Sequence, residues 1–196
     1  MRRFVCTCAH FCAACAHHIR SDSSKLIQIQ PSLFPPFPLL LQDIKRADAI
    51  RYFLLKHYGG VYADLDVAPC DGAEVALANI RQKLMLVRDP ARGTQADKAA
   101  KRIGNFFFQS PRGHPFWAFA IDGLRRAATR KGGPMQRTGP DFVNSRWQEW
   151  LRGTPGCSGQ SQVVVLTHDE WQTSGIGAHH FVGTWHAGQP GGLPAE

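Results

Sequence analysis

Apolar residues recur at intervals of three and four after position 43, the spacing that places them on one face of an α-helix. The members of this stripe are Ile44, Ala47, Ile50, Phe53, Leu54 and Tyr58. Asp43 is a residue type that caps helix N termini, and Gly59 and Gly60 can adopt the left-handed backbone conformation that ends a helix. The pattern therefore predicts a helix from Asp43 to His57 or Tyr58.

Short apolar runs bounded by glycine, proline and polar residues predict strands further along the chain. These runs span residues 61–67, 83–87, 105–109 and 163–166. Helices are predicted from Pro115 to about Arg130 and from Asp141 to Arg152, whereas the polar residues 89–104 are predicted to form a loop. Because strands alternate with helices, we expect an α/β layered domain with a partly parallel sheet.

Residues 1–41 differ from the rest of the chain. A cysteine cluster is followed by an apolar run whose prolines, at positions 31, 35, 36 and 38, exclude a regular helix or central strand. The cluster consists of Cys6, Cys8, Cys12 and Cys15. These thiols have two interpretations, a zinc site and a palmitoylated leader. We expect residues 1–41 to be an atypical leader or a wrongly assigned segment, residues 42–190 to form one domain, and residues 191–196 to be a tail.

The composition fits one globular domain with a hydrophobic core, since 43% of the 196 residues are hydrophobic. No stretch reaches the ~20 apolar residues of a membrane-spanning helix. The formal net charge of +8 would attract phosphates, nucleic acid or anionic lipid. A basic nucleic-acid-binding module is one alternative, but the sequence contains neither a recognition helix nor an aromatic-basic ribbon. No nucleic-acid partner is therefore expected.

The sharpest chemical feature is the sequence Tyr62-Ala63-Asp64-Leu65-Asp66. In a strand, alternate side chains share a face, so the two carboxylates would lie together beside Tyr62. The opposite face, directed into the core, would consist of Ala63, Leu65 and Val67. Two adjacent carboxylates repel each other unless a divalent cation lies between them, and their oxygens suit Mg²⁺ or Mn²⁺. A solvated strand end is the other interpretation of the same pair.

Several longer motifs occur in a fixed order around this pair. They are Arg46-x-Asp48-x-x-Arg51-Tyr52, Gly59-Gly60-Val-Tyr62-x-Asp64-x-Asp66, Asn105-Phe-Phe-Phe-Gln-Ser110, Gly113-His114-Pro115-Phe116, Thr138-Gly139-Pro140 and His179-His180-Phe-Val-Gly183-Thr184-Trp185. In these motifs the chain resembles glycosyltransferase family 32, the sugar transferases with an Asp-x-Asp motif. That family includes initiating α-mannosyltransferases and the catalytic subunits of mannosylinositol phosphorylceramide synthases.

The resemblance implies a GT-A-like α/β fold and a retaining, metal-dependent hexosyltransferase, with mannose the favoured sugar. Its donor would be a GDP- or UDP-hexose, its acceptor a glycan or glycolipid, and its cofactor Mn²⁺ or Mg²⁺. The family also implies membrane association and a lumenal location in the Golgi or another secretory-pathway membrane. Residues 42–190 would then be a partial catalytic domain.

The resemblance also implies roles for individual residues. Asp64 and Asp66 would hold the cation, with His180 as the third metal ligand or a diphosphate contact. The residues implied in catalysis are Asp48, Arg51, Asp64 and Asp66. Asp48 and Arg51 would also grip hydroxyls of the transferred sugar. The residues implied in substrate binding are Asp48, Arg51, Tyr62, Asn105 and Trp185.

The resemblance is incomplete at the N terminus, because residues 1–41 contain no match to the strand with which family members begin. Residues 25–30 are only weakly similar to that strand. We therefore expect a fold that lacks a normal first β-α unit. The alternative function is that of a truncated, non-catalytic relative that binds nucleotide sugars or carbohydrate.

Overall fold

The computed structural model describes residues 4–6, 43–90, 101–153 and 162–180, with the backbone alone for residues 4–6, 43 and 44. The elements in chain order are β1 (Phe4–Cys6), α1 (Asp43–Tyr58), β2 (Gly60–Ala63), β3 (Val67–Pro69), α2 (Ala73–Ala78), β4 (Leu84–Arg88), β5 (Ile103–Ser110), α3 (Pro115–Thr129), α4 (Pro134–Arg137), α5 (Pro140–Gly153), β6 (Val163–Leu166), α6 (His168–Thr173) and β7 (Gly177–His179). The predicted helix over residues 43–58 and both later helices are confirmed.

The main sheet is mixed, with the strand order β1-β2-β5-β4-β6. The β1–β2 and β4–β6 pairs are parallel, whereas β5 runs antiparallel to both β2 and β4. A second sheet consists of the antiparallel pair β3–β7. This architecture confirms the predicted α/β class with a partly parallel sheet.

Apolar side chains fill both faces of the main sheet. Leu84, Leu86 and Phe108 belong to the cluster that contains residues of α1, α3 and α5. Met85 and Val87 alternate with them along β4 and pack with residues of α2 and α6. Successive strand residues point to opposite faces, so β4 contributes side chains to both clusters. The sheet is therefore covered by helices on both sides.

The N-terminal zone contributes β1, which lies at the edge of the sheet beside β2. Its pairing partners in β2 are Val61, Tyr62 and Ala63. The sequence pattern predicts no strand here. Cys8, Cys12, Cys15, the proline-rich run and residues 25–30 lie outside the described residues. Within the described ranges, no helix is long and apolar enough to cross a membrane.

The predicted strand over residues 61–67 is wrong, because the chain turns in its middle. β2 ends at Ala63, and the N–H of Val67 donates to the carbonyl of Asp64 at 3.1 Å, which closes a turn. Leu65 is therefore 53% exposed instead of entering the core. Beyond the turn, β3 leaves the main sheet and pairs with β7.

Other differences concern element ends and short elements. β5 begins at Ile103, inside the predicted loop, and ends at Ser110. The sequence pattern did not predict the three-residue strands and the short helices α2, α4 and α6. Segments of this length carry too few residues to display a helical or strand period.

Gly59 ends α1 in the way predicted from the sequence. Its φ is +64°, and its N–H donates to the carbonyl of Leu55 at 2.9 Å. A Cβ at this position would lie 2.4 Å from the backbone nitrogen of Arg112. The junction between α1 and β2 therefore requires glycine both for its conformation and for the close approach of a neighbouring backbone.

We expect Gly59→Ala to lower the free energy of unfolding by about 3 kcal/mol, since a steric clash adds to the strain of a left-handed alanine. The control is Gly113→Ala, because Gly113 has φ +74° but no atom within 4 Å of the added Cβ. Its cost should be only about 1 to 2 kcal/mol. Urea unfolding followed by tryptophan fluorescence measures both, and equal losses would contradict the steric argument.

Candidate active site

The first aspartate of the Asp-x-Asp motif is held in place by two donors. The hydroxyl of Tyr62 donates to Oδ1 of Asp64 at 2.6 Å, and Nη1 of Arg51 donates to the same oxygen at 3.0 Å. The guanidinium of Arg51 lies 4.6 Å from the centre of the Tyr62 ring. Asp64 is therefore fixed at the end of β2 by a side chain from α1 and one from its own strand.

Arg51 also contacts two other elements of the site. Its Nη2 donates to Oδ1 of Asp48 at 2.7 Å, and its Nη1 donates to the backbone carbonyl of Asn105. Only 5% of Arg51 is exposed. Burial by itself lowers the pKa of Arg51, but Tyr62, Asp64 and Asp48 more than offset this and raise it. The guanidinium thus remains a fixed positive charge behind the motif.

Asp48 lies deeper, and both of its carboxylate oxygens are occupied by protein groups. Nδ2 of Asn105 donates to Oδ1 at 3.0 Å, and Oγ1 of Thr138 donates to Oδ2 at 3.1 Å. The carbonyl of Thr138 in turn accepts a hydrogen bond from the hydroxyl of Tyr52. Burial raises the pKa of Asp48, while Arg51, Thr138 and Asn105 oppose the rise.

The predicted sugar-gripping pair is therefore buried in this structure. Asp48 and Arg51 are each 5% exposed. Arg51 is hydrogen-bonded to Asp64, and Asp48 is hydrogen-bonded to Asn105 and Thr138. Tyr62 is 3% exposed, and Asn105 is half-buried. The geometry gives these residues a role in positioning Asp64. Their contact with a sugar stays a prediction.

The second aspartate is held by the β7 end of the small sheet. The backbone N–H of His180 donates to the backbone carbonyl of Asp66 at 2.7 Å. Nε2 of His179 lies 3.5 Å from Oδ2 of Asp66, whose side chain is 20% exposed. The two carboxylates of the motif are thus anchored by different layers of the fold.

The oxygen chemistry of the aspartate pair suits a hard divalent cation. Arg51 and Tyr62 both donate to Oδ1 of Asp64, so among the described residues Oδ2 is the oxygen left for a ligand. The side chain of Asp64 is 32% exposed, which gives access from solvent. Burial raises the pKa of Asp64, Arg51 and Tyr62 offset only part of the rise, and the neighbouring Asp66 adds to it. Mg²⁺ and Mn²⁺ are commonly held by one or two carboxylates together with substrate phosphates.

Of the two remaining predicted site residues, the structure describes only one. His180 is exposed at the end of β7, and Trp185 lies outside the described residues. In the part of the chain that the structure describes, no three His, Cys, Asp or Glu residues form a metal-binding group. The role of His180 as a third ligand stays a prediction. His179, which the sequence motif did not single out, lies nearer to the core and stacks on Phe106 at 4.5 Å.

A separate cavity of about 410 Å³ opens at the other end of β2. Its lining includes Gly60, Leu77, Arg81, Gln109 and Arg112. Because β2 has four residues, each advancing the chain by about 3.3 Å, the start of the strand and Asp64 are separated by roughly 13 Å. The cavity is therefore not part of the aspartate site.

We expect Arg51→Met to lower the free energy of unfolding by about 3 to 5 kcal/mol, because Asp48 would be left buried without its charged partner. The matched control is Arg102→Met. Arg102 also joins two aspartates, Asp89 and Asp141, but its side chain is 26% exposed. Its loss should cost less, about 1 to 2 kcal/mol for the two more exposed pairs together. Urea denaturation at neutral pH compares the two, and equal costs would contradict the importance of burial.

Comparisons with known proteins agree with the motifs. Residues 12–81 match the glycosyltransferase sugar-binding region containing a DXD motif. The chain is 30% identical over 161 residues to inositol phosphoceramide mannosyltransferase 3 of Schizosaccharomyces pombe, a match that covers 76% of this chain and 40% of that protein. Over 147 residues it is 36% identical to mannosyl phosphorylinositol ceramide synthase SUR1 of Saccharomyces cerevisiae, with 73% of this chain and 35% of that protein covered.

Among solved structures, a PaToxG glycosyltransferase covers 66% of this chain and 44% of its own, with a TM-score of 0.44 and 14% identity. The chain spans less than half the length of the two curated relatives. The mixed α/β sheet agrees with the GT-A-like fold that the sequence motifs imply. The resemblance to glycosyltransferase family 32 is confirmed: this chain is a relative of the sugar transferases that carry the DXD sugar-binding region.

Proposed function

We propose that this domain is a metal-dependent, retaining hexosyltransferase. It moves a hexose, most favourably mannose, from a nucleotide-diphosphate sugar to a glycan or glycolipid. One observation carries the proposal. The carboxylate of Asp64 is held by Arg51 and Tyr62 next to Asp66, within a segment that matches the DXD sugar-binding region.

The chemistry of this reaction is dominated by the charge of the leaving group. As the bond to the sugar breaks, negative charge develops on a nucleoside diphosphate. A divalent cation, Mn²⁺ or Mg²⁺, held by Asp64 and Asp66 would neutralise that charge. Arg51 fixes the direction of the Asp64 carboxylate before any ligand binds, so little reorganisation is needed. Arg51 also places a permanent positive charge close behind the site.

The residues around Asp64 provide a rigid wall for the donor sugar. Asp48 receives bonds from Arg51, Asn105 and Thr138, which lie on three different elements or turns. This bonding holds the start of β5 against α1 beside the motif. We propose that the transferred hexose lies along this wall, with the half-buried Asn105 nearest to it and Trp185 beside the phosphates or the sugar. Tyr62 is 3% exposed and would reach the sugar only through a shift of its own. Asp48 and Arg51 reach the sugar only through small local shifts from their buried positions.

The relatives favour particular partners for the reaction. The proteins from both yeasts are named for mannosylation of inositol phosphoceramide or for the synthesis of its product. We propose a GDP- or UDP-hexose as donor and a glycolipid of the sphingolipid class as the favoured acceptor. Such an acceptor requires the enzyme to work at a membrane, and we propose the lumenal side of a Golgi or other secretory-pathway membrane.

We expect Asp64→Asn and Asp66→Asn each to reduce sugar transfer about 100-fold or more, since each removes charge that holds the cation. The fold should persist, because asparagine has nearly the same shape as aspartate and Arg51 keeps Asp48 as its charged partner. Asp71→Asn is the control, since Asp71 is exposed and lies outside the motif. Transfer of radiolabelled hexose to lipid measures the rates. Normal turnover in both motif variants would refute the proposal.

Nucleotide binding can be tested separately from turnover. We expect the midpoint of thermal unfolding to rise with either GDP or UDP, and to rise only when Mn²⁺ is also present. A ligand at 100 times its dissociation constant stabilises the native state by about 2.7 kcal/mol. The nucleotide that produces the shift identifies the donor class. A cooperative transition that neither nucleotide moves would contradict a working donor site.

A further inference from the structure

The small β3–β7 sheet brings a histidine to the second aspartate of the motif. β7 runs antiparallel to β3, and its residue His179 pairs directly with Val67, the neighbour of Asp66. This register places Nε2 of His179 3.5 Å from Oδ2 of Asp66. The adjacent His180 is the histidine implied by the sugar-transferase motif. It is exposed and contacts Asp66 through its backbone N–H.

The imidazole of His179 is held in a defined orientation. Its ring stacks on Phe106 with centroids 4.5 Å apart and an interplanar angle of 21°. Its side chain is only 9% exposed. Phe106 follows Asn105 on β5, and Asn105 is bonded to Asp48. The ring is therefore packed against the same strand that supports the first half of the site.

We propose that His179 is a positioning residue, which directs the carboxylate of Asp66 toward the cation. This inference rests on the proposed metal-dependent function. With Oδ2 of Asp66 beside the imidazole, Oδ1 would be the oxygen that binds the cation. The arrangement parallels that of Asp64, where Arg51 and Tyr62 both occupy one oxygen. Each carboxylate thus has one oxygen close to polar side-chain atoms of the protein, which restricts how the other can point.

Two substitutions separate this role from simple packing. His179→Gln retains an N–H donor near the position of Nε2 but loses the aromatic ring. His179→Phe retains a ring that can stack on Phe106 but has no donor. If the histidine acts through its contact with Asp66, glutamine rescues the function and phenylalanine does not. If it acts only by filling space, the order is reversed.

The measurement is the binding of Mn²⁺ alone, followed by the loss of the electron paramagnetic resonance signal of free Mn²⁺ as protein is added. We expect His179→Phe to weaken Mn²⁺ binding about 10-fold or more, the usual effect of removing a group that orients a metal ligand. His179→Gln should stay within about 2- to 3-fold of the wild type on the same scale. Thermal unfolding shows whether each variant is folded, and His179→Leu replaces His179→Phe if the latter is not.

The matched control is His168→Phe, the same substitution at the neighbouring histidine. His168 is buried at the start of α6, and its ring centre lies 5.6 Å from that of His179 and 5.7 Å from that of Phe106. Its Nδ1 lies 3.8 Å from Oδ1 of Asp169, which is outside the motif. Its replacement should leave the dissociation constant for Mn²⁺ within about 2-fold of the wild type.

Each outcome decides between the hypotheses. Wild-type affinity in folded His179→Phe, or an equal loss in His179→Gln and His179→Phe, would overturn the positioning role while the metal-dependent function stands. A loss in His168→Phe as large as in His179→Phe would also overturn it, because packing would then explain both. No binding of Mn²⁺ by the wild-type protein, either alone or together with GDP or UDP, would instead overturn the proposed metal dependence, and this inference with it.

Discussion

A single buried positive charge organises the site and the elements around it. The guanidinium of Arg51 is shared by the carboxylates of Asp48 and Asp64 and by the backbone carbonyl of Asn105. These partners lie on α1, on the turn after β2 and on β5. A buried charge of this kind needs a charged partner, because an uncompensated ion in the interior is strongly destabilising. The interaction therefore fixes three elements relative to one another.

The chain turns directly after the aspartate that Arg51 holds. Asp64 is held toward α1 by Arg51, and the hydrogen bond from Val67 to the carbonyl of Asp64 reverses the chain at once. β3 then joins β7 instead of extending the main sheet. Asp64 thus takes its support from α1 and Asp66 from β7. Two carboxylates that would repel each other are kept together by separate parts of the fold, an arrangement that suits the proposed binding of a cation between them.

The sequence patterns predicted the long elements well and the short ones poorly. The apolar stripe of α1 extends over several turns and is followed by Gly59, so both the helix and its end could be predicted from the sequence. β3 and β7 have three residues each, and no period can be recognised in so few positions. The alternation of residues 61–67 suited one strand, but it could not show that Leu65 lies outside the core. At these residues, long-range contacts and not local strand propensity determine the conformation of the chain.

The sequence by itself determined the chemistry of the site: the aspartate pair, the helix that precedes it and the order of the sugar-transferase motifs. Only the tertiary structure decided which of these side chains are buried and which of two adjacent histidines lies beside Asp66. Thr138 and Asp48 are 90 residues apart in the chain, yet they share a hydrogen bond. Burial and strand register depend on such distant partners, and the pattern along one segment contains no information about them.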